Sequence, residues 1–201
     1  EYGAPITGRG CGTSLCGQCC NVSVIIDMSK YLNRVLEIDP AKKLGRVEPG
    51  TILDDLRNAA QKYGLTFGPD PATHSHCPLG GMLGNNSCGV HSVMAAFDGY
   101  GARTSDNTHE MEILTYDGTR MRVGPTSEEE LSSVVREGGR RGEIYRRLRD
   151  LRDKYAEKIR ETFPDIPRLV AGYNLPELLP ENGFNVARAL VGSEGTCVTI
   201  L

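Results

Sequence analysis

Gly8-Arg-Gly-Cys-Gly-Thr-Ser-Leu-Cys-Gly-Gln18 is the stretch that decides how the rest of the chain is read. It holds four glycines, two hydroxyl side chains and one arginine. It follows the run Ala4-Pro-Ile-Thr7 and precedes Val22-Ser-Val-Ile-Ile-Asp27, which reads as a buried strand. Glycine has no Cβ and reaches positive φ, so such a loop can turn successive backbone N–H groups toward one anion. A concave run of amides is a phosphate nest. Thr13 and Ser14 add hydroxyl donors, and Arg9 adds a fixed positive charge.

Three chemistries compete for this loop. A dinucleotide fingerprint needs a helix directly after the glycines. Here a second strand follows instead, and the lysine of a P-loop is absent as well. An iron–sulfur reading rests on Cys11, Cys16 and Cys19, whose C-x4-C-x2-C spacing is that of plant-type ferredoxins. Its fourth ligand would come from Cys20, Cys77, Cys88 or Cys197, and the plain alternative is that these cysteines fill small semi-buried positions. The third reading is a flavin site built from loops.

Other features set the frame. The 201 residues suit one large domain or two small subdomains, with 39% hydrophobic and 24% charged residues. A net charge of -3 gives no reason to expect nucleic acid. No apolar run is long enough for a membrane span, and no signal peptide is visible. The seven cysteines fit no small secreted scaffold, so they read as reduced and the compartment as cytoplasmic. The chain begins at Glu1 without a Met and stops in strand-like Thr199-Ile-Leu201, so both ends read as cut from a longer protein.

Along the chain, Val35–Asp39 and Leu44–Glu48 read as a hairpin around residues 40–43. Thr51 is placed to cap a helix reaching Tyr63, with Ile52, Leu53, Leu56, Ala59 and Ala60 on one face and Gly64 ending it. Residues 68–89 read as one long irregular loop, a feature that usually carries function. Ile113–Tyr116 and Thr119–Val123 flank the turn signal Asp117-Gly118. Ser127 and Glu130 form a capping box. Tyr145, Leu148, Leu151, Tyr155 and Ile159 mark a helix whose many charges read as a solvated face, ended by Pro164 and Pro167. A short helical turn is expected at Asn174–Leu179 and a last strand at Cys197–Leu201. His74-x-His76 beside Cys77 allows a zinc reading, but hydrogen-bonded loop histidines explain His74, His76, His91 and His109 better. No metal site is assigned.

Taken together, several motifs resemble one family. Arg9–Gln18 looks like the pyrophosphate loop of FAD-linked oxidases of the vanillyl-alcohol-oxidase and p-cresol-methylhydroxylase (PCMH) type. Val24-Ile-Ile-Asp-Met-Ser29, Gly68-Pro-Asp-Pro-Ala-Thr-His74, Gly80-Gly-Met-Leu-Gly-Asn-Asn-Ser-Cys-Gly89, Tyr116-Asp-Gly-Thr119 and Val191-Gly-Ser-Glu-Gly-Thr196 follow in the family's order. The nearest branch resembles the D-lactate, glycolate and D-2-hydroxyglutarate dehydrogenases. Pro167–Pro180 looks like the long bacterial members fused to an iron–sulfur segment.

The resemblance implies an α+β fold of two FAD-binding subdomains, truncated at the N-terminus and lacking the C-terminal cap domain. The first, partial subdomain would span 1–66; the second would span 67–201 with a helical insert at 127–180. It implies that Arg9, Gly10, Cys11, Gly12, Thr13 and Ser14 wrap the FAD pyrophosphate. Gly80, Gly81, Gly84, Asn85, Asn86 and Gly89 would approach the ribityl chain and the flavin ring. Glu194, Gly195 and Ile200 would line the cofactor through backbone contacts, with Asp70 and Thr73 as polar contacts. Some relatives tether the flavin to a histidine where this chain has Thr13, so the FAD is expected to be non-covalent. Cys11 and Cys16 stand where relatives carry Gly or Ala.

The implied activity is oxidation of a D-2-hydroxy acid to the 2-oxo acid with hydride transfer to flavin N5. The hydroxy acid would be met through the missing cap, which would also carry the catalytic residues, and an iron–sulfur group of the full-length protein would accept electrons. The fragment alone would be silent. Two other classes stand beside this one: a degenerate flavin fold acting as a scaffold or partner-binding module, and an iron–sulfur carrier on Cys11, Cys16 and Cys19.

Overall fold

Among the described residues, seven short strands and five α-helices are ordered around two apolar clusters, and one glycine-rich helix is shared between them. The computed structural model describes residues 3–92, 94 and 101–201. Glu1, the expected start of the fragment, lies outside the described residues.

Strand β1 (Ile6–Arg9) pairs in parallel with β2 (Val24–Asp27), in a register that sets Ile6 opposite Val24 and Arg9 opposite Asp27. Parallel neighbours need a long connection. Here it is the glycine-rich loop 10–23, which carries no regular structure. The expectation of a buried strand at Val22–Asp27 is overturned: Val22 is 94% and Val24 54% exposed, and all four residues of β2 are exposed in a sheet of only two strands. β3 (Val35–Asp39) and β4 (Leu44–Val47) form the expected hairpin, its turn held by Ala41 and Lys42 N–H groups donating to Asp39 Oδ1 at 3.0 Å.

Helix α1 (Leu53–Gln61) buries Leu53, Leu56 and Ala60 against this hairpin. Ile52, not Thr51, is its N-cap. The Thr51 hydroxyl instead donates to Arg34 O at 3.1 Å, so tertiary contact outcompetes the local cap. Gly64, at φ 68°, ends the turn as expected.

The segment 68–89 is not wholly irregular. Leu79–Asn85 forms helix α2, with Pro78 as N-cap and Asn86 in the left-handed region at φ 49° as C-cap. Three glycines in seven residues give poor intrinsic helix propensity. Burial of Leu79 and Met82 in the first cluster, with Leu53, Leu56 and Cys77, overrides it. The next residue round the helix, Leu83, packs on the second cluster.

That second cluster is built on an antiparallel sheet in the order β6-β5-β7: β5 (Met111–Leu114), β6 (Arg120–Val123) and β7 (Thr199–Ile200). β5 starts two residues before the expected Ile113, and the last strand is shorter than Cys197–Leu201. The Asp117-Gly118 turn is present, with Gly118 at φ 85°. Helix α3 (Glu128–Glu137) starts at Ser127, whose side chain accepts the Glu130 N–H. A glycine pair turns the chain into α4 (Gly139–Thr162). A Cβ at Gly142 would lie 2.7 Å from Val134 O, so only glycine lets α4 start this close to α3. Two 3-10 turns (Leu175–Leu178 and Pro180–Asn182) and helix α5 (Val186–Leu190) close the cluster, with Tyr145 and Phe184 rings 6.4 Å apart.

One charge on α4 departs from the solvated face expected of it. The Arg152 side chain is 8% exposed. It pairs with Glu128 at 2.5 Å and Asp153 at 2.8 Å, and its guanidinium lies 5.1 Å from the centre of the Phe184 ring. Arg152→Ala is expected to destabilise the chain by about 1–2 kcal/mol through lost stacking and packing. Lys158→Ala, on the exposed face, is expected to change little. Urea unfolding of both variants checks this, and equal small effects would contradict the packing role.

Candidate cofactor site

The site grows from the carboxyl end of β1. Arg9 and Asp27 are opposite each other, and their side chains pair at 3.6 Å. The Asp27 carboxyl is held below its ordinary range, first by the Ser29 hydroxyl and then by the Ser29 N–H. Beyond Arg9 the chain leaves the sheet. Gly12 at φ 71° and Gly17 at φ 86° turn it where other residues would be strained. Among the described residues, no backbone N–H from Cys11 to Cys19 donates to a backbone carbonyl. The loop therefore offers a run of unused donors at the surface.

Three separate stretches converge here. A Cβ on Gly10 would sit 2.1 Å from Pro78 Cγ, so the loop rests directly on the start of α2. Asn85, at the end of α2, donates from Nδ2 to Ser14 Oγ at 3.3 Å and to Gly81 O at 3.2 Å. The third stretch is the 191–196 turn, whose Gly192 and Glu194 N–H groups donate to the Leu83 and Gly84 carbonyls near the end of α2, at 2.8 and 3.0 Å. Gln18 Nε2 then donates to Glu194 Oε2 at 3.2 Å, closing the loop onto that turn.

Of the expected residues, Arg9, Gly10, Cys11, Gly12, Thr13 and Ser14 thus share one locality with Gly80, Gly81, Gly84, Asn85 and Asn86, and with Glu194 and Gly195. Gly80 has no room for a side chain either, since a Cβ would meet Pro49 at 2.8 Å. The Asn86 side chain faces inward, accepting the Ser105 N–H on Oδ1 at 3.0 Å. Gly195 O accepts a hydrogen bond from Tyr116 Oη at 3.1 Å. Ile200 is in β7, opposite Ile113, half-buried against the second cluster.

Asp70, Thr73 and Gly89 form a second group. A Cβ on Gly89 would overlap Asp70 O at 1.6 Å. The Asp70 carboxylate accepts from Arg57 Nη1 at 2.9 Å and pairs with His91 Nδ1 at 2.9 Å. Its role here is to fasten the loop to α1. Thr73 is exposed, and its carbonyl accepts the His76 and Cys77 N–H groups. Sequence reasoning did not single out Gln18, Pro78 or Arg57, because only tertiary partners distinguish them from ordinary surface and turn residues.

Three of the four histidines are hydrogen-bonded loop residues as expected: His74 pairs with Asp54 at 2.8 Å, His76 with Ser75 and His91 with Asp70. Among the described residues, no group of three or more His, Cys, Asp or Glu side chains is placed to hold a metal ion. The spacing of Cys11, Cys16 and Cys19 is therefore not matched by their arrangement. Cys19 and Cys20 lie with their sulfurs 3.9 Å apart, and all seven cysteines are free.

Unused amide donors, a fixed cation and glycines with no space for a Cβ suit an extended anionic cofactor such as a dinucleotide. A family model described as FAD binding domain matches residues 1–124. The chain belongs to this FAD-binding domain family. It is 34% identical over 192 residues to a D-2-hydroxyglutarate dehydrogenase of Pseudomonas putida, covering 95% of this chain and 18% of the relative. It is 33% identical over 125 residues to glycolate oxidase subunit GlcD of Bacillus subtilis, covering 62% and 25%. The chain thus spans about a fifth to a quarter of the length of these relatives. A solved alkyldihydroxyacetonephosphate synthase shares the fold, with a TM-score of 0.55 and 21% identity over 97% of this chain and 25% of that one. No helix among the described residues of this FAD-binding domain is long and apolar enough to cross a membrane.

The second group carries a pH prediction. Burial pushes the Asp70 carboxyl up, but the hydrogen bonds from Arg57 and His91 outweigh it and hold the group below its ordinary range. A lowered carboxyl contributes stability above its unfolded value, near pH 4, and loses it as pH falls through the folded value. Asp70→Asn is expected to cost about 1–2 kcal/mol near neutral pH, with the gap to wild type closing on acidification. Unfolding curves across that range check it; a gap independent of pH would rule out the carboxylate charge as the cause.

Proposed function

We propose that this chain is the flavin-holding part of a dehydrogenase that oxidises a D-2-hydroxy acid, of the 2-hydroxyglutarate, glycolate or lactate type, to the 2-oxo acid. The length of the match to the D-2-hydroxyglutarate dehydrogenase carries the reading. It takes in 192 of the 201 residues, so it runs through the helical stretch 127–180, whereas the glycolate oxidase subunit matches over 125 residues. FAD, when bound, supplies the electron sink, taking at N5 the hydride that leaves the hydroxyl-bearing carbon.

The chain's own residues bind and orient. The N–H groups of residues 10–14, with Arg9, hold the pyrophosphate. Gly80, Gly81, Gly84, Asn85, Asn86 and Gly89 let backbone come close to the ribityl chain and ring, with Gly80 and Gly89 also seated against Pro49 and Asp70 of the chain itself. Glu194, Gly195 and Ile200 line the remaining wall, and Asp70 and Thr73 give polar support. Thr13 has no ring nitrogen to attach to a flavin, so the cofactor is held non-covalently. In this reading 1–66 and 67–201 are the two cofactor-binding subdomains. The substrate and the groups that take its hydroxyl proton belong to further segments of the longer protein, an iron–sulfur segment accepts the electrons, and the enzyme works in the cytoplasm, a setting that suits seven free cysteines.

The test is a visible absorption spectrum after FAD is added and the excess removed by desalting. Wild type is expected to retain a flavin spectrum, and Gly10→Val to lose most of it, since its side chain would displace the loop from Pro78. A colourless wild type, or a Gly10→Val variant that holds FAD equally well, would refute the loop assignment.

A further inference from the structure

The first loop is fastened at both ends, the later one by Asn21 Nδ2 and Ser23 Oγ donating to Thr7 Oγ1 at 3.2 and 2.8 Å. Near β1 it is fixed: Gly10 lies against Pro78 with no room for a Cβ, and Ser14 accepts from Asn85. Its far limb is tied to the rest of the site differently. Among the described residues, the hydrogen bond that links loop 10–23 to the 191–196 turn is the one from Gln18 Nε2 to Glu194 Oε2, 3.2 Å long, between residues 176 apart in sequence. Both side chains are exposed.

Each end of that bond is presented by a hydrogen-bonded stretch of backbone. Gln18 lies inside a turn closed by the Cys20 N–H donating to Gly17 O at 3.0 Å. Glu194 is held at φ 50° with its N–H on Gly84 O. The backbone thus positions the two groups, while the bond itself is a single charge-assisted contact in water, cheap to break and quick to remake. Between Ser14 and this contact lies Gly17, at φ 86°, where a Cβ would meet nothing within 4 Å. That is the build of a hinge with a catch.

We propose that Gln18 and Glu194 form a latch across the pyrophosphate groove, open while FAD enters or leaves and closed while it is held. The proposal rests on the reading that residues 9–14 hold the pyrophosphate, and it gives Glu194 a side-chain role besides its backbone one. Both are positioning residues: they act through the loop and not on the substrate.

The test is a double-mutant cycle read as the rate of FAD release from the loaded 201-residue chain, followed by recovery of flavin fluorescence. Gln18→Ala removes the donor. Glu194→Asn shortens the acceptor beyond reach, and asparagine tolerates the left-handed backbone of this position. Each is expected to speed release about three- to tenfold, with the double variant no faster than either single one. The reversed pair, Gln18→Glu with Glu194→Gln, is expected to return release to within about twofold of wild type, since amide and carboxylate have exchanged places. Thermal unfolding without FAD is expected to be unchanged throughout, so that faster release is not a loss of fold. Wild-type release rates in both single variants, or effects that simply multiply in the double variant, would overturn the latch while leaving the loop assignment standing. A wild type that never retains FAD would overturn both.

Discussion

The site depends on one short helix whose ends are already committed. α2 has the first orphan donors and last orphan acceptors of any helix, and this fold uses them as joints. At its start, Leu79 and Gly80 N–H groups donate to Thr51 and Pro49 carbonyls, tying it to the entry of α1. At its end, the Leu83 and Gly84 carbonyls accept from Gly192 and Glu194, tying it to the turn before the last strand. Leu79 and Met82 enter one apolar cluster and Leu83 rests on the other. A stretch of poor helix formers is thus held helical by what surrounds it.

This arrangement explains why glycines gather where they do. Gly10, Gly80 and Gly89 each abut another backbone segment or a proline ring so closely that a methyl group would not fit. The loops approach one another through bare backbone, which leaves amide groups, not side chains, as the surface offered to a cofactor. Recognition by amides needs no side-chain ordering.

The helical region after Ser127 serves a different end. α3, α4 and the 3-10 turns cover the β6-β5-β7 sheet, and half-buried Arg103 and Arg188 bind this layer to the 103–108 stretch through backbone carbonyls of Leu169, Thr108 and Asp106. Glu177, buried between these arginines, is pushed above the ordinary carboxylate range by burial, against the pull of the two cations. The chemistry of the region is one of packing, and its arginines are fasteners more than a binding surface.

The sequence by itself determined the glycine-rich loop between two strands, the two hairpins, the Ser127 cap and the order of motifs that mark an FAD-binding domain, because each depends on residues close together in the chain. Local propensity is enough for a turn at Asp117-Gly118 or a capping box. It was not enough for α2, for the exposure of Val22 and Val24, for the burial of Arg152, or for the contact of Gln18 with Glu194. Those were decided by the tertiary structure. A helix rich in glycine forms only if distant elements bury its apolar face, a strand is covered only if something packs over it, and an arginine is a core residue only if carboxylates and a ring from elsewhere meet it. The loop residues proposed to hold the cofactor stand in the sequence as separate motifs; their approach to one another came from the backbone hydrogen bonds at the two ends of a seven-residue helix.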